Sequence, residues 1–597
     1  MSGPGPHLAR LRGPPAPSPR HPTLVHALAA AAVHPGGVTF VDLAERETHV
    51  PWPEVVARAA RAASTYAAWG VRPGDRVAIV LRTEVAFLDA FFGAWWAGAV
   101  PVPLYPPVRL GRLEEYIEGT ARMIRTSGAA LVVAGGGARR LLGEAVARAR
   151  PPLGSRDAAE LLGGAAGPPP PTPGPGDLGL VQFSSGSTVA PKPVALTHAA
   201  LQAQVDALTV LVEPTSADVL VSWLPLYHDM GLIGGLLGAM GYPGPLVLIA
   251  PEHFLARPAL WPRAVARHRG TISPAPSFAY AYVAGRVASA ELAGLDLSSW
   301  RLALDGAEPV SGEAMRRFSA RLAPHGFDGR ALRPVYGLSE AALAVTFAPV
   351  GGRMEGARVD GARLARDGVV VPGTREVASV GVPLPGFEVE VRGESGEVLL
   401  EDRLGRIWVR GPSLLREILG DPEATARLLV QGWLDTGDLG FVRGGELHVH
   451  GRAKDVVIIR GANHAPEEFE AALAGMPGLR PGCAVAVGFQ PAGAGDEALL
   501  VLAEVAHGGR TDDDQLAARA AGAVLERTGI APGEVRLLAP GTLPRTSSGK
   551  LRRQEALRRL LAGALSAPAA AGPLQLVAWA ARSQLAGMMT RLRRGRP

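Results

Sequence analysis

Strand-like and helix-like runs alternate along this chain from about residue 75 to 450, which points to mixed or parallel sheets covered by helices. DRVAIVL (75–81) reads as a strand, EVAFLDAFFGAWWAG (84–98) as an apolar helix stopped by glycine, and VPVPLYPP (100–107) as extended chain. The predicted class is therefore α/β. A length of 597 residues implies several units. A loose Pro/Gly/Arg-rich tail is expected over 1–25 and a large unit over 26–451. A small α/β unit is expected over 452–562 and a C-terminal extension over 563–597. GGAAGPPPPTPGPGD (163–177) reads as a surface linker, and no internal repeat is evident.

Composition removes several function classes. Apolar residues make up 47% and charged residues 19%, a globular balance. The net charge of +6 is small for the length and lies largely at the C-terminus, so no nucleic-acid partner is expected. The single cysteine, Cys483, excludes an intrachain disulfide and fits a reducing, cytoplasmic compartment. No Cys/His cluster has zinc spacing, and the N-terminus lacks an apolar core of signal-peptide length. MGLIGGLLGAMGYPGPLVLIAP (230–251) approaches membrane-span length but is broken by glycine and proline. It is read as a short buried helix, a break at Gly241–Pro245 and a buried strand.

Only three lysines occur, Lys192, Lys454 and Lys550, against fifty-eight arginines. Lysine is a compact point charge on a flexible stem, suited to reaching one phosphate or carboxylate oxygen where the wide guanidinium fork does not fit. All three lie in signature-like stretches: SSGSTVAPKP (184–193), GRAKDVVIIRGANHAPEEFE (451–470) and LPRTSSGKLRR (543–553). The first follows the strand LGLVQF (178–183). Small hydroxyl residues and a glycine after a strand make an anion-binding loop, in which Ser184, Ser185, Gly186, Ser187 and Thr188 can surround phosphate oxygens beside Lys192. This is not the Walker pattern, which needs GK[ST] opening a helix.

In order after that loop come SWLPLYHDMGLIGG (222–235), DGAEPV (305–310), YGLSEAAL (336–343), GWLDTGDLG (432–440), GRAKD (451–455) and RTSSGK (545–550). Together these motifs resemble the adenylate-forming superfamily over roughly residues 35–560. VPLYPPVRLGRLEEYIEGTARMI (102–124), WRLALDGAEPV (300–310) and NHAPEEFE (463–470) look most like the fatty acyl-AMP ligases within it. The resemblance implies a large AMP-binding domain with a small mobile C-terminal domain. It also implies an insertion that hinders the domain rotation needed for coenzyme A, placed here at 348–380. Val189 and Pro193 depart from the superfamily pattern, standing where many members have glycine.

The implied reaction activates a medium- or long-chain fatty acid with ATP and Mg²⁺, then passes the acyl group to the phosphopantetheine thiol of a separate acyl-carrier protein. By resemblance, the loop Ser184 to Thr188 holds the β,γ-phosphates, and Thr188 and Glu340 place the metal. Tyr336, followed by Gly337, stacks on adenine against Gly306, Ala307 and Glu308. Asp438 takes the ribose hydroxyls, with Arg452 as an added donor. Lys550 bridges acyl carboxylate and α-phosphate, and Lys454 is the hinge. His228 fits either the boundary between carboxylate and acyl pocket or a structural role. Met230, Gly231, Ile233, Phe278 and Tyr280 fit a hydrophobic tunnel and serve equally well as core. The segment 573–597 has apolar residues at helical spacing among arginines, which suits a membrane surface, a carrier protein or its own domain. A fatty acyl-CoA synthetase and a non-catalytic acyl- or nucleotide-binding homologue remain the alternatives.

Overall fold

A computed structural model describes residues 7–107, 112–165, 173–184, 191–352, 356–490, 497–546 and 549–567. Its spine is a nine-stranded sheet in which Leu332–Gly337, Leu302–Asp305, Ile272–Ala275, Leu220–Ser222, Leu246–Ile249 and Gly37–Val41 run parallel. These strands are short and almost wholly apolar, as strands buried on both faces must be. Antiparallel strands Ala344–Phe347 and Glu47–Pro51 extend it on either side. A parallel four-stranded sheet (Val100–Pro103, Arg76–Val80, Leu131–Ala134, Gly154–Asp157) carries the strand–helix alternation of the N-terminal third. The predicted helix at 84–98 forms over Val85–Trp96, with seven side chains from Phe87 to Trp95 among the main core.

A third sheet is antiparallel and holds Glu388–Arg392, Gly405–Arg410, Trp433–Arg443 and Glu446–Arg452. Its edge strand is Arg10–Arg12, paired with Glu388–Arg392. The loose tail expected over 1–25 is therefore corrected from residue 8 onward: Ala9 is fully buried, Leu11 nearly so, and a helix begins at Leu24. The stretch 230–251 winds as a π-helix over Met230–Leu237, continues to Gly241, and resumes as the buried strand Leu246–Ile249. Among the described residues no helix is long and apolar enough to cross a membrane.

Beyond Arg452 the chain builds a smaller unit. It contains the sheet Leu479–Phe489, Ala498–Val505 and Glu534–Leu538, with helices Pro466–Ala472, Asp514–Thr528 and Arg553–Leu561. Its two apolar clusters draw only on residues 457–565, while the clusters of the larger part draw only on residues 9–449. The segment 573–597 lies outside the described residues.

Candidate active site

The parallel strands deliver chemistry-bearing side chains at their C-terminal ends, where open α/β sheets hold ligands. His228 and Asp229 follow Leu220–Ser222, and Phe278 follows Ile272–Ala275. Gly306, Ala307 and Glu308 follow Leu302–Asp305. Leu332–Gly337 ends in Tyr336 and Gly337, with Glu340 in the 3₁₀ turn after it. The backbone here is tightly constrained. A Cβ on Gly337 would stand 1.7 Å from the Leu343 carbonyl oxygen, so no larger residue fits. Ala307 has φ +68°, a left-handed conformation that costs a non-glycine residue about 1–3 kcal/mol and tends to occur at ligand sites.

The antiparallel sheet faces this edge. Asp438 and Arg452 are cross-strand partners, with side chains 3.5 Å apart. The Tyr336 hydroxyl donates to Asp438 Oδ2 at 2.7 Å, so the aromatic expected at adenine and the carboxylate expected at ribose are linked across two sheets. Burial raises the Asp438 carboxyl above its usual value, opposed by Arg452, the Tyr336 hydroxyl and Lys550. Lys550 arrives from the small unit on a turn closed by Thr546 N–H donating to the Lys550 carbonyl at 2.8 Å. Burial lowers its ammonium pKa, while Asp229, Glu308 and Asp438 favour the charged form and Arg452 opposes it. Glu308 is fixed by the Phe278 N–H, which donates to it at 2.6 Å.

Asp229 was missing from the sequence reading, though it sits beside His228 in LYHDMG. Its buried carboxylate accepts from the Ser339 hydroxyl and from Met230 N–H at 2.7 Å, and meets His228 Nδ1 at 2.7 Å. Burial alone would raise it; His228, Ser339 and Lys550 together hold it well below the usual carboxylate range. It therefore stays ionised, orients the His228 ring and supplies negative charge for Lys550. The available signal was the acid beside a histidine in a loop after a strand.

The phosphate-loop ends are joined: Ser184 N–H donates to the Lys192 carbonyl at 3.0 Å, closing the hairpin Leu178–Phe183 with Pro193–Thr197. Pro193 occupies the first position of its strand, where proline is tolerated. Ser185, Gly186, Ser187, Thr188 and Val189 lie outside the described residues. Lys192 and Arg452 both act on Glu340, whose carboxyl is raised by burial, lowered by those two cations and raised again by Asp229. Lys454 follows the strand Glu446–Arg452 on the connection into the small unit, and its carbonyl accepts from Gln554 Nε2 at 3.4 Å.

One continuous cleft of about 3200 Å³ runs through these residues, and Met230 and Phe278 line it. Three tunnel expectations are corrected. Tyr280 is fully buried in the core, its hydroxyl donating to the Leu304 carbonyl at 2.8 Å and its ring edge-on to Phe318. Ile233 packs in the main core. Gly231 is pressed against backbone, where an added Cβ would stand 2.4 Å from the Pro225 oxygen. Trp223, stacked on Phe254 at 4.0 Å, is a wall that sequence reading missed.

The segment expected as an insertion at 348–380 forms the hairpin Gly356–Val359 with Arg375–Ala378, spanning a helix at Gly361–Asp367. Val359, Leu364 and Val377 pack with Phe441 of the antiparallel sheet. Arg316 holds Glu376 through two 2.8 Å hydrogen bonds. Arg375 reaches the small unit, donating to Glu468 Oε2 at 2.7 Å, while Glu468 Oε1 meets His464 Nδ1 at 2.7 Å.

Known proteins match this arrangement. The profile of the family described as AMP-binding enzyme matches residues 28–419. A provisionally named acyl-CoA synthetase of Caulobacter vibrioides is 37% identical over 91% of this chain and 96% of its own. The long-chain-fatty-acid–AMP ligase FadD32 of Mycolicibacterium smegmatis is 32% identical over 88% of this chain and 92% of its own. The medium-chain-fatty-acid–[acyl-carrier-protein] ligase JamA of Moorena producens is 35% identical over 65% of this chain and 68% of its own. A structure from a study of fatty acyl-adenylate ligases of E. coli and L. pneumophila superposes with TM-score 0.85 at 32% identity, covering 92% of this chain and 99% of the other.

Proposed function

The chain belongs to the AMP-binding enzymes as a fatty acyl-AMP ligase, and from that premise we propose that it serves a separate acyl-carrier protein rather than coenzyme A. In the first step a fatty carboxylate oxygen bonds to the α-phosphorus of ATP. The bond to the bridging oxygen breaks and pyrophosphate leaves. Such a step calls for positioning and charge stabilisation more than proton transfer. Lys550 sits between the acids Asp229, Glu308 and Asp438 and supplies the positive charge for the carboxylate and α-phosphate. Tyr336 covers adenine, Asp438 with Arg452 takes the ribose, and the Ser184–Thr188 loop with Lys192 takes the departing pyrophosphate. Lys454 is the hinge. In the second step the phosphopantetheine sulfur bonds to the acyl carbon, the bond from that carbon to the phosphate oxygen breaks, and AMP leaves as the thiol gives up its proton to solvent.

Glu340 offers an oxygen ligand near Lys192, and among the described residues no group of three His, Cys, Asp or Glu could hold a metal alone. Glu340 and, by the family resemblance, Thr188 would hold a hard cation such as Mg²⁺, which prefers oxygen ligands. When bound, it would supply positive charge against the phosphates.

The observation that carries the choice of acceptor is the Arg375–Glu468 contact, through which the hairpin 356–378 ties the large part to the small unit. The relatives named as carrier-protein and AMP ligases support the same choice. The deciding experiment supplies ATP, Mg²⁺ and a panel of fatty acids, with coenzyme A or with a phosphopantetheinylated carrier protein. Acyl-adenylate and acyl-carrier product with little acyl-CoA is expected. Efficient acyl-CoA formation would favour the synthetase reading that the Caulobacter relative's name suggests.

A further inference from the structure

The segment 102–124 contributes to the family resemblance, yet none of its side chains has a role in the reaction above. Its helix, Leu113–Thr126, opens with Glu114 and Glu115, and the residue before it is Arg112. Both Arg112 and Glu115 contact the small unit. Arg112 Nη2 donates to the Thr542 carbonyl at 3.0 Å, at the start of the loop that carries Lys550. The next amide, Leu543 N–H, donates to the fully buried Glu504 at 2.9 Å, so this point is held from both parts of the molecule. On the far side of Lys550, Arg559 donates to Glu115 Oε1 and Oε2 at 3.1 and 2.8 Å. Its Nε donates to Glu555 at 2.6 Å, which fixes the guanidinium on its own helix.

We propose that Arg112 and Glu115 are positioning residues for adenylation: they hold the small unit at points before and after Lys550, so that the lysine stands among Asp229, Glu308 and Asp438. The inference rests on the adenylate-forming reading. A flexible side chain contributes to a transition state only if its anchor is correctly placed, and misplacement of about 1 Å can cost on the order of 100-fold. Glu115 is 54% exposed, so the Arg559 pair adds little to global stability. Its effect belongs to the rate of the step that needs Lys550. Transfer to a thiol from acyl-adenylate already made does not require that placement.

The test uses the full chain with Arg112→Ala, Glu115→Arg, Arg559→Glu and the Glu115→Arg/Arg559→Glu exchange. Pyrophosphate release is measured with fatty acid and ATP, and single-turnover transfer is measured from supplied acyl-adenylate to a phosphopantetheinylated carrier. The single charge reversals should lower kcat for pyrophosphate release by roughly 5- to 20-fold with little change in KM, because like charges then face each other. Transfer should stay within about twofold, and the exchange should cost clearly less than the product of the two single losses, full rescue being blocked by the repulsion between Glu555 and a carboxylate at position 559. Equal losses in both steps, multiplicative losses in the exchange variant, or unchanged rates would each overturn the proposal. Should wild type release no pyrophosphate with any acid, the adenylating reading falls, and hydrogen exchange still decides the placement. Faster exchange over 542–546 and 553–561 in Glu115→Arg, lessened in the exchange variant, supports it; no change overturns it.

Discussion

The wall of the site built by the nine-stranded sheet and the approach of the small unit are held by different forces. The wall rests on apolar packing: Trp261, Trp300, Phe318 and Tyr280 are fully buried behind the strands that end in Phe278, Glu308 and Tyr336. Among the described residues no apolar cluster spans both parts. The contacts described across that seam are polar, Arg375 to Glu468, Arg112 to the Thr542 carbonyl and Arg559 to Glu115. Close packing fixes one geometry, whereas partly exposed ion pairs can be released cheaply. The sheet side of the cleft is thus fixed by packing, and Lys550 reaches it from a unit held by polar contacts.

The sharpest break of this contrast is Phe318→Ala in the packed wall. It should cost about 3–5 kcal/mol of stability, seen as a lower denaturant midpoint and a loss of both half-reactions together. Lys550→Ala comes next. It should leave the unfolding midpoint unchanged and slow adenylate formation by about 10²–10³-fold, read as pyrophosphate release; a loss under tenfold would remove Lys550 from the transition state. Arg375→Ala cuts the seam on the insertion side. It should raise acyl-CoA formation by roughly 3- to 10-fold, with some loss of stability because the pair is largely buried and Glu468 is left without its arginine. No rise would mean that the Arg375–Glu468 contact does not select the acceptor.

The smallest effect is a pH limb. Burial lowers the Lys550 pKa in the folded protein, and under the proposed mechanism its charged form is the one that acts. Adenylation should therefore fall as pH rises through that lowered value, starting below the ordinary lysine value of about 10.4. Lys550→Arg should be slower yet lack the alkaline limb, because guanidinium stays charged. A wild-type rate flat to pH 10 would contradict the placement of Lys550.

Short ordered motifs are the part of the candidate site that the sequence displays most plainly. Tyr336, Glu308, Asp438, Arg452 and Lys550 come from five separate stretches and line one cleft. The α/β class followed from strand and helix periodicity, which local sequence records directly. Sequence reading failed where the deciding partner is remote. The strand Arg10–Arg12 is legible only with its partner Glu388–Arg392 in view, because its flanks have the composition of a loose tail. Tyr280, Ile233 and Gly231 share their apolar or small character with true lining residues, and only packing tells a wall from a core. Asp229 was passed over because its weight comes from Ser339 and Lys550, both distant in the chain.

The polar seam has a further consequence for life in a crowded solution. A part that swings away from an apolar surface bares a sticky patch at every opening, an invitation to aggregate. Here, were the two parts to separate under the proposed mechanism, the contacts released would be arginines and carboxylates that water solvates readily rather than an adhesive apolar face.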